Sequence, residues 1–87
     1  VYLDTEYVTQ LTGQVQASCF RVSPDEALLL VGDHARLGGE ACFKLPFAPS
    51  SAQAWDEDGR ERPVALSGDE LKVTMDGQRL TRVTVMR

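Results

Sequence analysis

Asparagine and isoleucine are missing from the 87 residues, and lysine occurs twice against seven arginines. Without Asn there is no N-glycosylation acceptor, and the bias as a whole suits a GC-rich bacterial genome. Histidine and tryptophan occur once each, at His34 and Trp55, and cysteine twice, at Cys19 and Cys42. Two Cys and one His fall short of the four ligands of a structural zinc site and show no close-pair spacing. Long apolar runs are also absent. The most apolar stretch, Ala27 to Val31 (ALLLV), is far below the ~18 residues of a membrane-spanning helix, and no charged-then-apolar leader opens the chain. Clustered cations are lacking too: net charge is −4 and the basic residues are scattered. That argues against a nucleic-acid backbone as partner, because phosphate neutralisation needs cations gathered in one place. Neither nucleic acid nor membrane is therefore expected as a partner.

A hydrophobic fraction of 43% with 25% charged residues is that of a folding chain rather than a disordered one. Its length allows a single domain, residues 1–87, of modest stability. Residues 1–12 read either as a strand or as a lead-in from a preceding domain. The opening Val1, in place of Met, reads as a fragment: a domain taken from something longer, or a processed product.

The last third, residues 52–87, organises the rest. Short alternating runs are separated there by Asp56-Glu57-Asp58-Gly59, Ser67-Gly68-Asp69 and Asp76-Gly77-Gln78, whose Gly and Asp residues supply the conformations of tight reversals. Three turns so closely spaced leave no room for a helix of ordinary length. Upstream, residues 14–22 alternate as a strand closed by Ser23-Pro24-Asp25-Glu26. Residues 27–31 fit a strand buried on both faces or a short helical segment, and the bounding Pro24 and Gly32 favour strand. In Glu40 to Phe47, Ala41, Phe43, Leu45 and Phe47 share one side, while Pro46 marks an edge strand or a strand terminus. Further strands are expected at 53–56, 62–66, 70–75 and 80–86, with Leu71, Val73, Met75, Val83 and Val85 inward. The fold class is all-β: an antiparallel β-sandwich of seven to eight short strands. Side-chain parity puts Cys19 inward and Cys42 outward, which disfavours a disulfide between them.

Few residues offer chemistry. Asp56, Glu57, Asp58 and Glu61 crowd one turn, yet they lack the opposed geometry of a glycosidase pair. They also supply only a fragment of a calcium loop, so a solvated hairpin tip is the expectation. His34 lacks an orienting partner for a Cys–His pair. Trp55 is the one candidate ligand-binding residue, either as a platform stacking on a sugar ring, with Tyr2 or Tyr7 beside it, or as an aromatic buried in the core or against a neighbouring domain. No catalytic residue, metal or cofactor is expected.

The order of features carries a resemblance. ALLLVGDHAR (27–36), EACFKLPF (40–47), AWDEDGRERPV (54–64) and the closing LSGDELKVTMDGQRLTRVTVMR (66–87) are together similar to the small all-β domain that follows the catalytic barrel in many glycoside hydrolases. The likeness covers about residues 14–87 and consists of strands and turns, with no catalytic signature. It departs at Gly32-Asp33, where Asn or Ser often sits, and in a longer lead-in. What it implies is a non-catalytic accessory domain whose partner is the catalytic domain of the same polypeptide. The alternative is a carbohydrate-binding module built on Trp55.

Overall fold

The computed structural model describes residues 2–4 and 7–87, with side chains from residue 7 onward. Among these residues the protein is an antiparallel β-sandwich without a helix. The strands are β1 (Tyr2–Asp4), β2 (Val8–Leu11), β3 (Gln16–Ser23), β4 (Glu26–Gly32), β5 (Gly39–Lys44), β6 (Ser51–Asp56), β7 (Glu61–Arg62), β8 (Ala65–Ser67), β9 (Glu70–Met75) and β10 (Leu80–Met86). A six-stranded sheet has the order β1-β3-β4-β10-β6-β7, and a four-stranded sheet packs on it in the order β2-β5-β9-β8.

The strand count exceeds the seven or eight read from the sequence because two expected strands each divide between the sheets. Residues 1–12 contribute β1 to the larger sheet and β2 to the smaller. Residues 61–67 run beside β6 as β7, then beside β9 as β8. Pro63 stands at that second switch, where its missing N–H and fixed φ suit a chain leaving one ladder for another. Each side of the sandwich is thus bordered by a segment that belongs to both sheets.

Period-two burial follows from the pleat. In β4 the run is Ala27, Leu29 and Val31 inward and fully buried, with Leu28 and Leu30 half-buried on the outside. Val83 and Val85 of β10 and Ala54 of β6 continue that inner layer. From the smaller sheet Ala41, Phe43, Leu71, Val73 and Met75 face them, and Leu45 and Phe47 extend the layer beyond β5. Pro46 lies past the end of β5, a strand terminus rather than an edge. Cys19 is fully buried and Cys42 lies on the outer face of the smaller sheet, and the two are not bridged.

Packing is tightest where the β4–β5 connection meets the loop before β3. Gly39 has φ +151°, and a Cβ there would sit 2.5 Å from the Thr12 carbonyl oxygen and 2.6 Å from Val15 Cγ2. Only glycine fits that approach.

The two faces of β4 give neighbouring leucines different weights. Leu29→Ala, which leaves a cavity between the sheets, is expected to cost about 3 kcal/mol. Leu30→Ala, from the outer face, should cost about 1 kcal/mol. Urea unfolding followed by circular dichroism measures both, and equal losses would contradict this assignment of faces.

Candidate functional site

The two outer faces differ in chemistry. That of the smaller sheet is polar, with Glu40, Lys44, Glu70, Lys72 and Thr74, and Lys72 Nζ reaches Glu40 Oε2 at 2.7 Å. On that of the larger sheet an apolar cluster lies among polar positions, Gln16, Ser18, Glu26, Ser51, Gln53 and Thr84. Register places Phe20 beside Leu28, Ser18 beside Leu30, and Leu30 beside Arg82, which in turn pairs with Trp55. Phe20, Leu28, Leu30 and Trp55 are half-buried there, while Leu80 and Met86 are each 41% exposed.

Trp55 stands toward one edge of this face, on β6 beside the border strand β7. The Arg82 guanidinium carbon lies 5.4 Å from the ring centroid, a cation–π contact worth about 0.5–1 kcal/mol at an exposed site. Leu30, Leu80, Glu57 and Gly59 border the shallow depression beside the ring, of about 420 Å³. Tyr7 does not join Trp55: it packs against the core cluster beside Lys44 on the smaller sheet. The side chain of Tyr2, the other aromatic considered for this platform, lies outside the described residues. His34 stands in the loop after β4, away from the inter-sheet layer that holds Cys19 and from the opposite outer face that holds Cys42, so no Cys–His pair forms.

The acidic turn corrects the expectation of a solvated tip at one residue, Asp56, which is 8% exposed. Its Oδ1 accepts from the backbone N–H groups of Asp58 (2.9 Å) and Arg60 (3.0 Å), and its Oδ2 accepts from Arg62 Nε at 2.9 Å. Arg62 in turn donates to Asp76 Oδ1 at 3.3 Å. Burial is the largest single influence on the Asp56 carboxyl and raises its pKa. The Arg60 N–H, the Arg62 side-chain hydrogen bond, the Asp58 N–H and the Arg62 charge together outweigh it, so the pKa falls below the ordinary value. Asp56, Glu57 and Asp58 bring ligand oxygens within 4.8 Å of one another. Both oxygens of Asp56 are already engaged, however, and Glu57 Oε2 accepts from the Arg79 N–H at 2.6 Å. The cluster's chemistry is that of a locked turn.

Two further polar side chains, noted in the sequence only as part of a turn (Gln78) and of the Gly32-Asp33 departure (Asp33), do the same work at the same end of the sandwich. Asp33, fully buried, accepts from the N–H groups of Leu37 (3.3 Å) and Gly38 (2.8 Å) and so folds the loop after β4. Gln78 is 4% exposed. Its Oε1 accepts from the Asp76 N–H at 2.7 Å, and its Nε2 donates to the Thr74 carbonyl (3.1 Å) and to Thr81 Oγ1 (3.2 Å). The signal available beforehand was local: an Asp or Gln within five residues of a Gly, placed directly after an apolar run.

No protein-family model, curated protein or solved structure matches the chain.

Because the folded-state pKa of Asp56 is depressed, its contribution to stability is fully present above the unfolded-state value near 4. It is lost as the pH falls through the lower folded value. Wild-type stability should therefore decline below about pH 4 more steeply than that of Asp56→Asn, which starts lower at neutral pH. Urea midpoints of the two proteins at pH 7 and about pH 3 make the comparison, and parallel declines would remove Asp56 from the account.

Proposed function

We propose that this chain is a non-catalytic accessory β-sandwich, the C-terminal companion of a bacterial glycoside hydrolase catalytic domain. It packs on that domain through the outer face of its six-stranded sheet. The parent enzyme class rests on the resemblance of strand and turn order. The docking role rests on one observation, the contrast between the two outer faces. A solvated sheet face carries polar residues in alternation with the core, as the smaller sheet does. The larger sheet instead presents Phe20, Leu28, Leu30, Trp55 and Leu80 near Arg82, with Met86 farther along β10 beyond Thr84. Aromatic and arginine side chains set among aliphatic ones are the composition of an interface centre.

The alternative, a carbohydrate-binding module, has less support. A sugar ring stacks on an open aromatic face, whereas Arg82 already lies over Trp55.

Arg82→Glu combined with Met86→Ser changes exposed positions, so the isolated chain should lose only about the 0.5–1 kcal/mol of the cation–π contact, a loss to be subtracted from any seen in the full polypeptide. In the full polypeptide the same pair should lower the melting temperature by several degrees, as the docked face is released. An unchanged melting temperature in the full polypeptide would sink the docking role. Oligosaccharides at millimolar concentration should leave Trp55 fluorescence and the surrounding amide shifts unmoved. Saturable shifts centred on Trp55 would transfer the function to the binding-module reading.

A further inference from the structure

Six of the seven glycines have positive φ angles, and Gly32 does not. It ends β4 on the outer side of the larger sheet, between Gln16 of β3 and Leu80 of β10. A Cβ added there would meet nothing within 4 Å. Neither backbone conformation nor packing therefore requires glycine at this position, and glycine in a strand weakens it. What the missing side chain does provide is bare backbone in the lining of a depression of about 690 Å³.

The walls of that depression are specific in chemistry. Gln14 and Gln16 line it with amides, His34 and Arg79 bring an imidazole and a guanidinium, and Val15, Ala35 and Leu80 supply apolar surface. No carboxylate lines it, although the chain as a whole carries net charge −4. The Arg79 main chain is held on both sides: its N–H donates to Glu57 Oε2 at 2.6 Å, and its carbonyl accepts from the Asp33 N–H at 2.8 Å. Its side chain is exposed, so a fixed backbone presents the guanidinium to solvent at the edge of the depression. His34 follows directly on the buried Asp33 that folds its loop. A guanidinium and an imidazole beside apolar surface are the recognition elements for a carboxylate on a flat apolar body.

We infer that the Gly32 depression is a binding site for a small organic carboxylate. The carboxylate is held by Arg79 and His34, and the apolar body lies on the Gly32 backbone between Gln16 and Leu80. This site lies at the loop end of the same outer face and shares Leu80 with the proposed docking surface, but its test uses the isolated chain and does not require docking.

Benzoate is a suitable probe, with benzamide as its neutral isostere, each titrated into the ¹⁵N-labelled chain to about 10 mM, where even millimolar affinity is visible. Benzoate should give saturable amide shifts centred on Gly32, Gln16 and Leu80, and benzamide at least about tenfold weaker ones. Gly32→Val places a branched side chain in the empty space and should abolish those shifts while keeping a dispersed, folded spectrum. Arg79→Gln should weaken benzoate about tenfold without affecting benzamide. The inference is overturned if benzoate produces no saturable shifts, if benzamide binds equally well, or if folded Gly32→Val binds benzoate as the parent chain does.

Discussion

The final strand holds the larger sheet together. β10 pairs with β4 on one side, from Leu80–Gly32 to Met86–Glu26, and with β6 on the other, from Thr81–Asp56 to Met86–Ser51. Without it, the β3–β4 hairpin and the β6–β7 hairpin share no hydrogen-bonded neighbour. Its inward residues Thr81, Val83 and Val85 are all fully buried, so the same seven residues close the ladder and fill the middle of the core. Both pairings join segments far apart in the sequence, and contacts of that kind slow folding because loop entropy is lost before they form.

The two ends of the sandwich are built differently. At the end where β4, β6 and β9 finish, Asp33, Asp56 and Gln78 turn inward and bind the backbone of their own connections. Buried polar groups are tolerated there because each finds partners; left unpaired, each would cost more than its hydrogen bonds return. This end gathers Arg36, Glu57 and Arg79 into contact, with the Arg36 guanidinium 3.7 Å from Glu57 Oε2. At the other end the ties are exposed, such as Arg87 to Asp25 at 3.7 Å and the Ser50 hydroxyl donating to the Arg87 carbonyl at 3.1 Å. One end is a scaffold able to hold side chains in fixed positions, and the other is an ordinary wet surface.

Much of this fold was legible in the sequence, because burial in a sheet has a period of two and the alternation of EACFKLPF or ELKVTM reports it directly. The inward residues of β5, β9 and β10 and the outward position of Cys42 follow from that parity, whereas Pro46, readable as an edge strand or a strand terminus from its missing N–H, proved to be the latter. Sheet membership did not. Residues 61–67 alternate no differently on the two sides of Pro63, so nothing local says that the strand changes sheets there. The burial of Asp56 was also hidden. Its neighbours Glu57 and Asp58 share its charge, and only the three-dimensional return of Arg60 and Arg62 makes its environment different. The apolar outer face was partly visible in the unbroken ALLLV run, whose even members needed some cover. That Trp55, Leu80 and Phe20 join them across four strands is a matter of register, which a single sequence does not carry.

The segments that change sheets have a further consequence for how molecules of this protein meet one another. The strands at the borders, β1, β2, β7 and β8, are two to four residues long. An incoming extended chain therefore finds only a few consecutive backbone donors and acceptors before the border strand ends and another begins in the opposite layer. Growth by adding strand to strand, the route to fibrous polymers, is interrupted on both flanks. Association is left to the side chains of the broad faces, where shape and charge can discriminate between partners as a repeating backbone cannot.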